Sequence, residues 1–150
     1  MSQKLRVLII EDSVLDAKVL VGLLQNGGYE IESERVETAP EFSEAIQRRP
    51  WDIILADYNL PEFNGPEALV LLQKSERDIP FIVISGGIGE DLAVQIMKSG
   101  AHDYLMKGNL ARLVPAVARE VRETRERTMR REAESALHAA NEQMRIAHEI

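Results

Sequence analysis

Through about the first 110 residues, short apolar runs alternate with longer amphipathic segments. Five apolar runs predict β-strands, and they are Leu5–Ile10, Tyr29–Val36, Ile53–Ala56, Phe81–Ile84 and Tyr104–Met106. Most of them are nearly continuous and rich in β-branched residues, which is typical of strands covered on both faces. The second run instead alternates with glutamates, which indicates a half-exposed strand that is protected from unwanted pairing at the edge of a sheet.

Amphipathic segments with helix signals at their ends lie between these runs. Ser13 with Asp16, and Thr38 with Glu41, have the three-residue spacing of a capping box, which predicts a helix start at each pair. Helices are expected over about residues 13–26, 38–46, 66–74 and 90–99. With a fifth helix at the C-terminus, the βα order repeats five times. This order predicts an α/β fold with a doubly wound, parallel five-stranded sheet and helices on both faces.

The last part of the chain predicts one elongated helix. From Ala116 to Ile150 there is no glycine or proline, and alanine, glutamate and arginine dominate. A helix of roughly 35 residues would extend about 50 Å, well beyond a small domain. We therefore divide the chain into a globular domain over 1–121 and an extended helical linker over 122–150.

Two interpretations of the linker are open. Its sparse apolar residues follow a heptad-like spacing that is poorly satisfied around Arg125–Arg131, and they are Met129, Ala133, Ala136 or Leu137, Ala140, Met144 and Ala147. The linker is either a solvated surface helix or one strand of a coiled coil. We expect a homodimer that forms through this helix, since a monomer has no evident use for a helix of such length.

Composition and charge exclude several classes of function. The 150 residues are 45% hydrophobic, which suffices for one domain with a core, and they include no cysteine. Disulfides, thiol nucleophiles and cysteine-bound metals are therefore excluded. The net charge of −7 argues against a nucleic-acid partner held by its phosphates. Because no segment predicts a signal peptide or a membrane span, we expect a cytoplasmic protein without a membrane partner.

Polar and charged residues follow four of the five predicted strands. Glu11 and Asp12 follow the first run, Asp57 the third, Ser85 the fourth and Lys107 the fifth. Because parallel strands end at one edge of the sheet, we expect these side chains to gather there. Crowded carboxylates favour a shared cation, and oxygen ligands without His or Cys suit Mg²⁺. A carboxylate nucleophile, a metal, a lysine and a hydroxyl are together the groups that phosphoryl transfer requires.

These residues resemble, in order and spacing, the receiver domain of bacterial two-component response regulators, the CheY-like domains. The matching motifs are Glu11-Asp12, Asp57 in a D-x-N-L-P-x-x-N-G-like stretch that ends at Gly65, Ser85 before a small residue, and Asp103-Tyr104-Leu105-x-Lys107. The resemblance covers about residues 4–121. It implies a flavodoxin-like sheet with the strand order 2-1-3-4-5.

The resemblance also implies a role for each carboxylate of the site. Asp57 would be the phosphoacceptor, taking a phosphoryl group from the phosphohistidine of a histidine kinase or a histidine phosphotransfer protein. Asp12 and Asp57 would hold Mg²⁺, joined by Glu11 through water and by the backbone carbonyl of Asn59. Beyond this self-catalysed acceptance and later loss of the phosphoryl group, no enzymatic activity is expected of the chain.

Three further residues would bind the phosphoryl group or respond to it. Lys107 would pair with the phosphoryl group, Ser85 would hydrogen-bond to one of its oxygens, and Tyr104 would rotate together with Ser85. The chain departs from the usual pattern at three places around these residues. Gly108 stands where the family usually has a proline after a cis peptide bond, which predicts a looser loop after Lys107. Ser85 stands where threonine is common, which predicts a freer rotamer, and the glycines of residues 86–89 predict a pliable loop after it.

The output of such a module would lie beyond the receiver. We expect the phosphoryl state to be relayed through the C-terminal helix to a downstream module or to the dimer. A histidine kinase or a serine phosphatase are two candidates for such a module. His148, near the end of the linker, resembles the start of a kinase phosphoacceptor box, although an ordinary solvated helix residue is the alternative.

Two other functions are compatible with parts of this pattern. The chain could be an interaction scaffold that retains the receiver fold but acts without phosphorylation. A hydrolase of the haloacid-dehalogenase type also begins from an aspartate and Mg²⁺. That family requires a second aspartate two residues after its nucleophile, where this chain has Asn59.

Overall fold

The computed structural model describes residues 2–149, with side chains described through residue 147. Strands and helices alternate along the chain. The strands are β1 (Gln3–Ile10), β2 (Tyr29–Val36), β3 (Ile53–Asp57), β4 (Phe81–Ser85) and β5 (Asp103–Met106). The helices are α1 (Val14–Asn26), α2 (Ala39–Arg48), α3 (Gly65–Lys74), α4 (Gly89–Lys98) and α5 (Leu113–Glu149). Among these residues, no helix is long and apolar enough to cross a lipid bilayer.

The five strands form one parallel sheet in the order β2-β1-β3-β4-β5. This order confirms the predicted doubly wound α/β fold. The glutamate-rich strand β2 lies at an edge, as its alternating pattern predicts, and Glu30 and Glu32 are exposed there. The order of pairing reverses at β1, because β2 lies on one side of it and β3 on the other. Ligands of such sheets bind beyond the carboxyl ends of the strands near this reversal.

Helices cover both faces of the sheet, and each face has its own apolar core. Alternate residues of a strand point to opposite faces, so Leu8 and Ile10 join one core while Val7 and Ile9 join the other. The first core packs under α2, α3 and α4. The second packs under α1 and α5, whose contributing side chains are Ala17, Leu20, Leu24, Leu113, Ala116, Val117 and Val121. The two cores hold the strand ends, and therefore the residues that follow them, in fixed positions.

The elongated C-terminal helix is confirmed, and its two parts have different surroundings. A single 3₁₀ turn at Leu110–Arg112 precedes it, and α5 then begins at Leu113, so that Pro115 lies in its first turn, where proline is tolerated. The helix is packed against the sheet as far as Thr124. From residue 128 to residue 147 nearly every side chain is exposed. The side chain of His148 lies outside the described residues.

Arginines tie the middle of α5 to the amino-terminal edge of the sheet. Arg127 and Arg131 both bind Asp78, through Nε to Oδ2 at 3.2 Å and through Nη2 to Oδ2 at 2.7 Å. Arg125 lies 3.6 Å from Asp52, which Arg6 also binds. The heptad-like spacing fails around residues 125–131 for this reason: three of its arginines bind carboxylates of the same chain.

Candidate functional site

The carboxyl ends of the strands bring together the groups that the sequence analysis placed there. Asp57 and Ser85 are the last residues of β3 and β4, Glu11 directly follows β1, and Lys107 directly follows β5. The ammonium nitrogen of Lys107 lies 2.7 Å from Oδ2 of Asp57 and 3.3 Å from Oε2 of Glu11. These three residues, at the carboxyl ends of β1, β3 and β5, form the centre of the site.

Burial and hydrogen bonds give the two central carboxyl groups different pKa values. The side chains of Glu11 and Asp57 are only 3% and 7% exposed. Burial raises the pKa of Glu11 to about 7, and the neighbouring Asp57 adds to this. Burial would raise the pKa of Asp57 as well. Hydrogen bonds from the Lys107 ammonium and from the Asn59 N–H outweigh it and hold the pKa of Asp57 below its usual value.

Asp57 is therefore ionised at neutral pH, and each of its carboxylate oxygens has a donor. Oδ2 accepts a hydrogen bond from Lys107 at 2.7 Å, and Oδ1 accepts one from the backbone N–H of Asn59 at 2.9 Å. Burial would lower the pKa of Lys107, but hydrogen bonds to the carboxylates of Asp57 and Asp16 outweigh it and raise the pKa, so the ammonium stays protonated. A buried, ionised and oriented carboxylate has the properties that a nucleophile needs.

The hydroxyl of Ser85 is completely buried and bound by two donors. Its Oγ accepts a hydrogen bond from Nδ2 of Asn59 at 3.1 Å and another from the N–H of Gly87 at 3.3 Å. The backbone carbonyl of Ser85 accepts from the N–H of Lys107 at 2.7 Å, which joins the ends of β4 and β5. The side chain of Asn59 therefore contacts Ser85 directly.

Two of the candidate residues lie away from this centre. Asp12 is exposed next to Glu11, at the rim of the site. Tyr104 is half-buried against the core on the α4 side and lines a shallow cleft with Val94 and Met97. The switch role of Tyr104 therefore stays a prediction, because this arrangement is also that of an ordinary packing residue.

Sequence reasoning missed Asp16 as a member of the site. Only half of the capping box that it was predicted to form with Ser13 is present. The N–H of Asp16 donates to Oγ of Ser13 at 3.2 Å, but the Asp16 carboxylate does not accept from the N–H of Ser13. The N–H of Ser13 instead donates to Oε1 of Glu11 at 3.1 Å. The carboxylate of Asp16 lies 3.1 Å from Nζ of Lys107. Its position one turn after Asp12, at the start of the helix that leaves this edge, could have indicated a place in the site.

The loops around the site also differ from the usual family pattern. The peptide bond before Gly108 is trans, as are all the peptide bonds among the described residues. A Cβ atom at Gly108 would touch nothing within 4 Å, so the loop after Lys107 is open. In the loop after Ser85, Gly87 and Gly89 have φ angles of 140° and 78°. These backbone conformations favour glycine, so at least two glycines of that loop are conformational requirements.

The donor set suits a hard divalent cation. Within the part of the chain that the structure describes, no three His, Cys, Asp or Glu side chains are already grouped as a metal site. Mg²⁺ requires less than this, because it keeps several waters and takes only one or two protein carboxylates together with phosphate oxygens. The carboxylates of Glu11 and Asp57 are neighbours that both lie close to Nζ of Lys107, so they could supply two oxygen ligands. The residues present therefore fit Mg²⁺.

Comparison with known families identifies the class of protein that this fold and site define. The family described as the response regulator receiver domain matches residues 7–118. The chain therefore belongs to the response regulator receiver family, which acts in two-component signal transduction.

Individual relatives agree with this assignment. The chemotaxis protein CheY of Thermotoga maritima is 28% identical over 102 residues, which cover 68% of this chain and 84% of that protein. The transcriptional regulatory protein ZraR of Klebsiella oxytoca is 27% identical over 105 residues, or 70% of this chain. This chain spans only 23% of the length of ZraR. Among solved structures, the signal receiver domain described as that of a Luxo repressor protein from Vibrio parahaemolyticus aligns with a TM-score of 0.75. It is 28% identical and covers 84% of this chain and 96% of that one.

Proposed function

We propose that this receiver accepts a phosphoryl group on Asp57. The observation that carries the proposal is the state of the Asp57 carboxylate, which is buried, ionised and held by Lys107 and by the N–H of Asn59. The donor would be the phosphohistidine of a histidine kinase or a histidine phosphotransfer protein. This class of donor is the one expected for a member of the receiver family.

The reaction is a transfer between two nucleophiles. A carboxylate oxygen of Asp57 attacks phosphorus, and the P–N bond of the phosphohistidine breaks, with its electron pair and a proton ending on the imidazole. Lys107 pairs with the phosphoryl oxygens, and Ser85 donates its hydroxyl hydrogen to one of them. Glu11, Asp12, Asp57 and the carbonyl of Asn59 would hold Mg²⁺, which supplies positive charge for the phosphoryl oxygens when bound.

The test uses a small phosphodonor, so that no partner protein is needed. Incubation with acetyl phosphate and Mg²⁺ should increase the mass of the protein by one phosphoryl group, and acetate is the leaving group. Asp57→Asn should stay unlabelled, because an amide cannot act as the nucleophile. Glu62→Gln is a matched control from the loop after β3 and should label like the parent. An unlabelled parent would contradict phosphoacceptance and favour the phosphorylation-independent scaffold.

The proposal extends to the output of the receiver. We divide the chain into a receiver over 1–121 and a helical linker over 122–150 that relays the phosphoryl state to a downstream module or to a dimer. In support, α5 continues without a break from Leu113, which is buried against the sheet, into the exposed distal part. The arginine contacts to Asp78 attach the first turns of the linker to the receiver.

A second copy of this chain is the partner proposed for the distal part of α5. Its exposed apolar side chains follow spacings of four and three residues, at Ala133, Leu137, Ala140, Met144 and Ala147. At about 100° per residue, Leu137 lies roughly 160° around the helix from both Val117 and Val121, which face the sheet. A parallel coiled coil through this seam would therefore place the two receivers on the outside of the dimer.

A further inference from the structure

The carboxylate of Asp16 has a partner from the far end of the fold. A residue at the third position of a helix commonly bonds back to the N–H of the N-cap residue. In α1 that N–H, on Ser13, is taken by Oε1 of Glu11, and the Asp16 carboxylate is free for another partner. Oδ2 of Asp16 accepts a hydrogen bond from Nζ of Lys107 at 3.1 Å, across 91 residues of sequence.

The loop around Lys107 does little to restrain its side chain, so contacts of the ammonium group must position it. Its backbone N–H is bound to the carbonyl of Ser85, but the loop that follows begins with Gly108, is open and has a trans peptide bond. The lysine stem has four rotatable bonds, and fixing it costs conformational entropy. Lys107 is 33% exposed, so water competes for its ammonium group.

Three carboxylates surround the ammonium group from different elements. Asp57 and Glu11 hold it from the buried side, at 2.7 Å and 3.3 Å. Asp16 holds it from α1 and is 49% exposed, so it closes the arrangement on the solvent side. Of the three N–H donors of the ammonium group, one is hydrogen-bonded to Asp57 and one to Asp16, and Glu11 lies within ion-pair distance.

We infer that Asp16 is a positioning residue for phosphoryl transfer, which holds the ammonium group of Lys107 at Asp57 in a receiver whose lysine loop lacks the usual proline. The inference rests on the proposed role of Asp57. Once Asp57 carries a phosphoryl group, its carboxylate no longer binds the ammonium as it did before. Asp16 is unchanged by the reaction and keeps the ammonium within reach of the phosphoryl oxygens.

The sign of the kinetic effect separates positioning from simple repulsion. If Asp16 positions Lys107, Asp16→Asn should slow labelling by acetyl phosphate about three- to tenfold, as expected for the loss of one partly exposed hydrogen bond between charged groups. Asp16→Glu retains the charge and should restore most of the rate. If Asp16 acted only as a negative charge near an anionic donor, Asp16→Asn would label faster than the parent. Faster labelling would overturn the inference.

A spectroscopic measurement tests the contact itself. In an NMR spectrum of the protein with ¹⁵N-labelled lysine, the ammonium signal of Lys107 should be visible in the parent because its hydrogens are held in hydrogen bonds. The signal that disappears in Lys107→Arg is assigned to Lys107. The signal should weaken or disappear in Asp16→Asn and persist in Glu67→Gln, which removes an exposed charge from the first turn of α3. An unchanged signal in Asp16→Asn would overturn the inference.

The two measurements also separate this inference from the proposed function. A parent that is never labelled contradicts phosphoacceptance, and the ammonium signal then decides by itself whether Asp16 holds Lys107. A labelled parent whose Asp16→Asn variant has the parental rate overturns the positioning role and leaves the role of Asp57 intact. The hydroxyl of Ser13 still accepts from the N–H of residue 16 in the variant and caps α1, so circular dichroism should show a folded protein.

Discussion

The side-chain amide of Asn59 donates a hydrogen bond to Oγ of Ser85 at 3.1 Å and thereby joins the loops that follow β3 and β4. The N–H of Gly87 donates to the same oxygen. A hydroxyl has two acceptor lone pairs and one donor hydrogen, so these two bonds occupy its lone pairs and direct its hydrogen elsewhere. Under the proposed function, the acceptor for that hydrogen is a phosphoryl oxygen on Asp57.

Removing this hydroxyl should slow phosphorylation. We expect Ser85→Ala to reduce the rate of acetyl phosphate labelling about ten- to a hundredfold, because a hydrogen bond to a charged group contributes about 1.5 to 3 kcal/mol. Ser85→Thr retains the hydroxyl and should keep most of the parental rate. The time course of intact mass at one fixed Mg²⁺ concentration measures both variants. Equal rates for Ser85→Ala and the parent would show that the hydroxyl does not contact the transferred group.

The raised pKa of Glu11 should make the metal-free protein less stable as the pH rises. The unfolded chain releases the Glu11 proton near the ordinary pKa of 4.5, whereas the folded protein keeps it until about 7. The folded state therefore binds more protons in this window, and the free energy of unfolding falls as the pH increases. The loss is complete above about pH 7 and is on the order of 3 kcal/mol. The lowered pKa of Asp57 acts only at more acidic pH.

Urea unfolding followed by the fluorescence of Trp51, the single tryptophan, measures this dependence. The parent in a chelating buffer should lose stability between pH 5 and pH 8, and Glu11→Gln should show a flatter profile. Glutamine keeps the oxygen that accepts from Ser13. Added Mg²⁺ should stabilise the parent more at pH 8 than at pH 5, because the metal binds the ionised carboxylate. A parental profile that is as flat as that of the variant would contradict the burial argument.

The contact of Asp78 with α5 should contribute to stability. Arg127 and Arg131 hold the pKa of Asp78 below its usual value, although burial alone would raise it. We expect Asp78→Asn to lower the free energy of unfolding by about 1 kcal/mol, a small value because exposed ion pairs are weak. The difference should vanish in acid, where Asp78 is itself protonated. Glu142→Gln removes an equivalent charge from the exposed distal helix and should have almost no effect.

The proposed dimer should depend on one side of the distal helix. Ala140→Glu would place like charges opposite each other in the seam, and sedimentation equilibrium should show a shift from dimer to monomer. Ala139→Glu is the matched control, because the neighbouring alanine is also exposed but lies roughly 100° away around the helix. A parent that is monomeric both with and without a beryllofluoride phosphoryl mimic would exclude the dimer.

Local patterns in the sequence determined the elements, their order and the edge at which the polar groups meet. The apolar runs predicted all five strands, and the glutamates of Tyr29–Val36 predicted an edge strand. Parallel strands end at one edge whatever their loops do, so Glu11, Asp57, Ser85 and Lys107 could be placed together before any contact was known. These predictions succeed because they depend on periodicity and on a general rule of topology.

Only the tertiary structure decided which side chains touch across distant segments. The capping spacing at Ser13 assigned the carboxylate of Asp16 to its own helix, whereas the structure gives it to Lys107. The arginines around residue 127 were a gap in a heptad pattern until Asp78 explained them. Periodicity describes how a segment is buried, but a contact between two segments depends on loop conformations and side-chain rotamers. Those are set by the packing of the whole chain, and no local pattern records them.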